Sequence, residues 1–206
     1  LISGIRGQEI VTGLQRNEAV KLNHEKMISE NQFKQVRTDN TVLTLPFFDD
    51  FPGESIYPDA SKWSDDFVFI NNTYTQDQLT TGVATFDALD NSGELYETAS
   101  DITFRADYLT SLPIQLNLPA SDSVRFSFLY QPGGLSDVPE ENDSLILQFY
   151  APAEARWYSA WKATGGSYDK FRHVIMRLDD PRFPRFRDQL LAAQDSDCMR
   201  HWQRRL

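Results

Sequence analysis

From Phe67 onward the apolar residues come in short runs, each halted within a few positions by Gly, Pro, Asn or Asp. No stretch there keeps the three-to-four spacing that a long amphipathic helix needs. A chain patterned this way buries its apolar side chains through strands. Phe67-Val-Phe-Ile70 ends at Asn71-Asn72, and Gly82-Val-Ala-Thr-Phe86 runs into Asp87-Ala-Leu-Asp-Asn-Ser-Gly93, a turn composition. Ser123-Val-Arg-Phe-Ser-Phe-Leu-Tyr130 alternates, placing Val124, Phe126, Phe128 and Tyr130 on one face until Gln131-Pro-Gly-Gly134 stops it. Ser144-Leu-Ile-Leu-Gln-Phe-Tyr150 puts Leu145, Leu147 and Phe149 on one face and Ile146 on the other, which calls for cover on both sides. Trp157 to Trp161 and Phe171 to Leu178 follow at similar spacing. The pattern predicts an all-β fold, an antiparallel β-sandwich of jelly-roll type.

A chain of 206 residues suits one such domain with flanking segments. Residues 1–41 are polar and of mixed charge. Ile10, Leu14, Val20, Met27 and Ile28 form only a thin apolar stripe, so this segment reads as a flexible or partly helical arm or linker. Composition changes at Thr41-Val-Leu-Thr-Leu-Pro-Phe-Phe-Asp-Asp-Phe51, which marks the start of a domain expected over residues 42–185. Residues 186–206 read as an irregular or short helical tail. The opening residues Leu1 to Gly7, without an initiator Met, read as a processed or truncated beginning, and the chain is expected to belong to a longer parent.

The net charge of -10 is unevenly placed: residues 41–150 hold only Lys62, Arg105 and Arg125 against eighteen acids, while residues 151–206 hold eleven basic and seven acidic residues. An acidic middle of this kind suits solubility, divalent cations or basic partners, and opposes nucleic acid as a partner. No run of about 18 apolar residues occurs, so no membrane span is expected.

Residues that could carry chemistry are sparse. Cys198 is the only cysteine, and His24, His173 and His201 fall too far apart in sequence to make a metal cluster by spacing. No Gly-x-Ser-x-Gly elbow is present, and a glycosidase pair of carboxylates is not singled out among thirty acids. The chain is therefore read as no enzyme. Asp87, Asp90, Asn91 and Gly93 lack the alternate-position spacing of a Ca²⁺ loop and read as a turn. Glycan binding is the more serious option, because flat rings stack on sugar faces. Trp63, Tyr130, Trp157 and Trp161 are its candidates, set against plain packing roles for the same rings.

The order Leu45-Pro-Phe-Phe-Asp-Asp-Phe51, Trp63, Gly82-Val-Ala-Thr-Phe-Asp87, Asp107-Tyr-Leu-Thr-Ser111, Ser127-Phe-Leu-Tyr-Gln131, Asp143-Ser-Leu145 and Trp157-Tyr-Ser-Ala-Trp161 resembles jelly-roll modules of exported, surface-associated Bacteroidetes proteins. These are similar in plan to MAM domains and choice-of-anchor modules, and many leave the cell by type IX secretion. The resemblance covers about residues 43–178 and carries over no catalytic residue. It implies a non-catalytic module at the cell surface or outside the cell, serving adhesion, protein interaction or structural spacing, with other envelope or secreted proteins, or a glycan, as partners. A carbohydrate-binding module of a larger polysaccharide-degrading enzyme is the alternative. It also implies three local features. Asp49 and Asp50 sit where related modules keep an acidic ligand, so a structural Ca²⁺ is possible there, with no other cofactor expected. Ser123 and Ser144, in Asp-Ser-apolar contexts that turns would expose, are candidate O-glycosylation sites. Finally, the modules end on a strand that closes the sandwich, whereas here Pro181-Arg-Phe-Pro-Arg-Phe-Arg187 only begins that pattern. From Pro181 onward there are six Arg and no Lys. The closing strand is accordingly expected to be missing. Either the natural reading frame is lost after about residue 185, or a short helix runs from about Arg187 to Ala193.

Overall fold

Phe149 has no exposed surface, and the fold is most simply described outward from it. The computed structural model describes residues 16–30, 41–53, 55–96, 105–116, 119, 123–135, 138–166, 170–178 and 190–195, the last six by their backbone. One helix, α1 (Glu18–Ser29), precedes eight strands: β1 (Phe69–Asn71), β2 (Val83–Thr85), β3 (Tyr108–Thr110), β4 (Arg125–Tyr130), β5 (Ser144–Ala151), β6 (Arg156–Thr164), β7 (Arg172–Arg177) and β8 (Leu190–Asp195). They pair as a β1–β2 ribbon, a β4–β7 ribbon and a four-stranded sheet of order β3-β8-β5-β6. Every ladder between these strands is antiparallel. The fold is β-rich, with one short helix, small antiparallel sheets and no closed barrel among the described residues.

Alternation in β4 and β7 explains how the ribbon meets the sheet. Phe126 stands opposite Met176 and Phe128 opposite Val174, so each strand sends every second side chain inward. Those side chains meet Leu147 and Phe149 of β5 and Trp161 of β6 in one apolar cluster. Phe126 meets Phe149 edge-on at 6.2 Å between ring centres, and Phe128 meets Trp161 at 5.0 Å. Full burial of a side chain the size of Phe149 is worth about 1.5–3 kcal/mol, so this contact plane is the main apolar contribution from the ribbon. A second cluster gathers Trp63, Val68, Ile70 and Leu109, and Phe47 packs against both.

The segment from Thr41 is tied into the β body as its composition suggested. Leu43 donates its N–H to the Pro113 carbonyl and accepts from Gln115, forming a parallel bridge with Ile114.

Two expectations need correction. The sheet does not lack a strand at its C-terminal side, because β8 lies between β3 and β5 with both edges paired. Residues 190–195, read as part of an irregular or short helical tail, are extended there. A short apolar run such as Leu190-Leu-Ala-Ala fits a helix or a strand equally by periodicity, and the open edges of β3 and β5 decide for the strand. The flanking residues 179–189 and 196–206, where frame loss was considered, lie outside the described residues.

The arm is partly helical, as the sequence allowed, and over residues 16–30 it is tied to the β body. Asn17 caps α1, its side-chain oxygen accepting the Val20 N–H at 3.2 Å, and its own N–H bonds the Gly93 carbonyl at 3.0 Å. Val20 is 4% exposed. Arg16 and Lys21 both reach Glu94 at 2.9 Å. The first turn of α1 thus docks on the turn that the Asp-Asn-Ser-Gly composition had marked.

Candidate functional site

The chemistry-bearing side chains divide into those consumed inside the fold and those left facing outward. Asp49 belongs to the first group. Its carboxylate accepts from the Trp63 indole N–H at 2.7 Å, from Lys62 Nζ at 3.0 Å and from the Phe51 backbone at 3.2 Å. Its side chain is 3% exposed. Asp50 takes a separate partner, the Thr81 hydroxyl at 2.8 Å. The two candidate Ca²⁺ ligands therefore do not converge, and Asp49 is surrounded by donors and an ammonium. Among the described residues no group of three or more His, Cys, Asp or Glu stands where it could hold a metal ion.

A second group of acids centres on Asp107, which the sequence did not single out. Asp107 is wholly buried, accepting from the Tyr96 hydroxyl and from the Ala88 N–H, each at 2.8 Å. Asp87 lies alongside, accepting from Asn17 Nδ2 at 3.0 Å and Leu89 N–H at 3.3 Å. Burial raises the Asp87 carboxyl above the usual carboxylate range, with those bonds pulling the other way. Burial, reinforced by Asp107, pushes the Tyr96 phenol far up. Asp65 accepts the Thr110 N–H, and Asp66 accepts from Asn91 Nδ2 at 3.1 Å. Tyr57, whose hydroxyl bonds the Asn91 carbonyl, is pushed up to about 12 by burial and then by Asp66 and Asp90. The 87–94 segment is the expected turn: Asp90 Oδ1 accepts from Ser92 and Glu94, and the Gly93 N–H returns to the Asp90 carbonyl. The only sequence signal for Asp107 was an acid placed just before a short apolar run.

The ring candidates separate. Trp63 is 8% exposed, stacked on Phe51 at 5.8 Å and edge-on to Phe47 at 5.6 Å. Buried, with one face stacked on Phe51 and its indole N–H given to Asp49, it offers no open platform for a sugar. Tyr130 and Trp161 meet edge-on at 5.0 Å, and Trp161 belongs to the main apolar cluster. Trp157 differs: it pairs with Tyr150 of β5 on the opposite face, ring centres 5.0 Å apart. Gln148, on that same face, donates to the Ser159 hydroxyl at 3.1 Å while its Oε1 has no partner.

Ser144 is 3% exposed, against the expectation that a turn would present it for modification. The turn folds back instead: Asp143 accepts the Glu140 N–H at 2.7 Å, and its carbonyl accepts from Gly165. Ser123 is exposed, at a positive φ of 47°. His24 lies on α1 and His173 on β7; Cys198 and His201 fall outside the described residues.

The outward face of the β4–β7 ribbon mixes cationic and apolar side chains. Arg125, Ser127 and Leu129 of β4 alternate outward, facing Arg177, Ile175 and His173 of β7 across the ladder. All six are exposed. No helix among the described residues is long and apolar enough to cross a membrane. No protein-family model matches the chain, and neither a curated protein nor a solved structure matches it.

Proposed function

We propose that this chain is a non-catalytic β-sandwich of jelly-roll type in an exported, cell-surface or secreted bacterial protein, serving adhesion, protein interaction or structural spacing. The observation that carries this reading is the fate of its reactive groups. Asp49, Asp87, Asp107 and Tyr96 are spent on hydrogen bonds that hold loops, strands and α1 together, and Trp63 is spent on packing. The face-to-face packing of the β4–β7 ribbon on β5 and β6 supports the sandwich. The test joins location with activity. Protease shaving of intact cells of the source organism is expected to digest the protein, and the purified chain is expected to leave ester, peptide and polysaccharide substrates unhydrolysed. Protection from the protease, or turnover of any substrate, overturns the reading.

The carbohydrate-binding alternative rests on Tyr150 and Trp157, an aromatic pair on the face away from the main cluster with the Gln148 amide beside it. Screening the chain on a glycan array with Trp157→Ala as control tests it. Retained sugar binding in that variant removes this pair from consideration.

A further inference from the structure

We infer that the surface where the loop after β1 meets the loop after β4 docks a basic polypeptide segment bearing an apolar side chain. This rests on the interaction-module reading above and names its contact surface. The two loops, residues 72–82 and residues 131–135 with 138, are bonded to each other. Gln131 Oε1 accepts the Gln76 N–H at 2.9 Å, its Nε2 donates to the Gln76 carbonyl at 2.8 Å, and the Leu135 N–H bonds the Tyr74 carbonyl at 2.8 Å. Gly134, at φ of 62°, permits that approach, because a Cβ there would lie 2.4 Å from the same carbonyl oxygen. Within the first loop, Asn71 Oδ1 accepts from the Thr73 and Tyr74 N–H groups, and the Gln78 amide donates to the Thr80 and Thr81 carbonyls. The backbone is therefore held in place, yet it presents Tyr74, Leu135 and Val138 at 38%, 68% and 44% exposure. Single apolar residues scattered over a surface are ordinary. Here two of them sit on loops joined through the Tyr74 carbonyl, and the third lies against Gly133, so they form a patch. A patch fixed before contact loses little further entropy on binding.

Charge selects the occupant. Residues 72–82 and 131–142 include Asp77, Asp137, Glu140 and Glu141 and no Lys, Arg or His. Asp77 follows the Gln76 that Gln131 holds, and Glu141 comes three residues after Val138. Both are exposed, and no hydrogen bond or ion pair among the described residues engages either carboxylate. An apolar patch flanked by such carboxylates attracts cations and repels anions. A divalent cation or a polyamine brings charge but nothing to cover Tyr74 and Leu135. An anionic membrane brings acyl chains with the wrong sign. A polypeptide with Lys or Arg on both sides of an aliphatic or aromatic residue supplies both the charge and the cover.

The experiment uses the whole chain and a fluorescein-labelled peptide, Lys-Ser-Leu-Ser-Lys, followed by anisotropy. Binding is expected to weaken as salt rises, and to fall roughly tenfold in Leu135→Ser and in the double variant Asp77→Asn with Glu141→Gln. Asn suits the positive φ of 53° at position 77, so the charge is removed with the backbone kept. Neutralising two acids of α1 instead, Glu25→Gln with Glu30→Gln, should leave binding nearly unchanged, which separates the patch from the general attraction of a chain at -10. The peptides Lys-Ser-Ser-Ser-Lys and Glu-Ser-Leu-Ser-Glu should bind roughly tenfold more weakly or less. Every substituted side chain is exposed, so circular dichroism of each variant should match the wild type. No binding of the first peptide, or binding that Leu135→Ser leaves unchanged, overturns the inference. An equal loss in the α1 double variant reduces the attraction to net charge and overturns it too. Tighter capture on phosphatidylcholine vesicles that depends on Leu135 makes the occupant a lipid surface, and dimers of the chain alone that Leu135→Ser disperses make it a second copy; either result does the same. No cells or substrates enter this assay, so its failure removes this surface and leaves the non-catalytic reading to protease shaving and hydrolysis.

Discussion

Trp157 and Trp161 stand on opposite faces of β6, although a spacing of four places two residues on the same face of a regular strand. Trp157 pairs with Tyr150 and Trp161 with Leu147, and the register shifts between Leu147 and Gln148. One extra residue on β6 rotates everything beyond it, so Tyr158 and Trp161, three apart, both reach the main cluster. Trp161→Ala is therefore expected to cost about 3 kcal/mol, the low end for truncating a large core ring, because Trp161 keeps some exposure. Trp157→Ala, which removes only an outer-face pair, should cost about 1 kcal/mol. Urea unfolding of both variants checks the difference; equal losses would mean the bulge does not separate the two rings.

Asp49 answers three donors at once. Asp49→Ala leaves a buried indole N–H and an ammonium without their acceptor, and a loss of about 2–3 kcal/mol is expected. Asp49→Asn keeps an acceptor and should lose less. Millimolar Ca²⁺ should leave the wild-type Tm where it is; a rise would mean that the ion displaces Lys62 from Asp49.

The seat of α1 depends on a glycine. Gly93 has φ of 78°, and a Cβ there would lie 2.6 Å from the Asn17 carbonyl oxygen. Gly93→Ala is thus expected to destabilise by at least about 1 kcal/mol and to unseat the helix, which Asn17→Ala should also weaken through its lost cap. Hydrogen exchange over residues 16–30 should accelerate in both, with the β5 and β6 amides unchanged.

Stability should fall toward alkaline pH with a definite sign. The pKa of Tyr57, about 12 when folded, lies above the roughly 10 of a free phenol. Between the two the unfolded chain has lost a proton that the folded chain keeps, so folding weakens as pH rises through that window. Tyr96 and Tyr108, both raised chiefly by burial, act in the same direction. Tyrosinate absorbance should appear together with unfolding, and Tyr57→Phe should move that transition upward. Asp87 has the same sign in acid: its raised carboxyl favours the folded state increasingly as pH falls through its folded pKa. Asp87→Asn should flatten that part of the profile.

Arg125→Glu turns a like-charged cross-strand pair into an opposite one. A gain of about 0.2–1 kcal/mol is expected, read by thermal unfolding at low salt and shrinking as salt is added. A loss of stability would mean that Arg125 holds the ribbon through another contact.

Strand positions were legible where a single run repeats every second residue. Val124 to Tyr130 and Leu145 to Phe149 declare their inner faces by alternation alone, and the structure packs Val124, Phe126 and Phe128 against the buried Leu147 and Phe149. Turns at 87–93 and 131–134 were equally legible, because Gly93, Gly133 and Gly134 supply positive-φ backbone that few other residues adopt. The β8 strand was not: Leu190 to Asp195 becomes a strand through the edges that β3 and β5 offer it, and no local period encodes an edge. The faces of Trp157 and Trp161 were not legible either, since a bulge is a mismatch between two strands and belongs to neither sequence. Nor was the fate of the acids. Asp49 and Asp107 look like any others among thirty, and only the donors that folding brings around them, from Phe51 two residues away to Ala88 nineteen residues away, make them structural. Periodicity and turn chemistry are local properties that a chain carries unfolded; pairing, burial and charge compensation exist only between segments, once those segments have met.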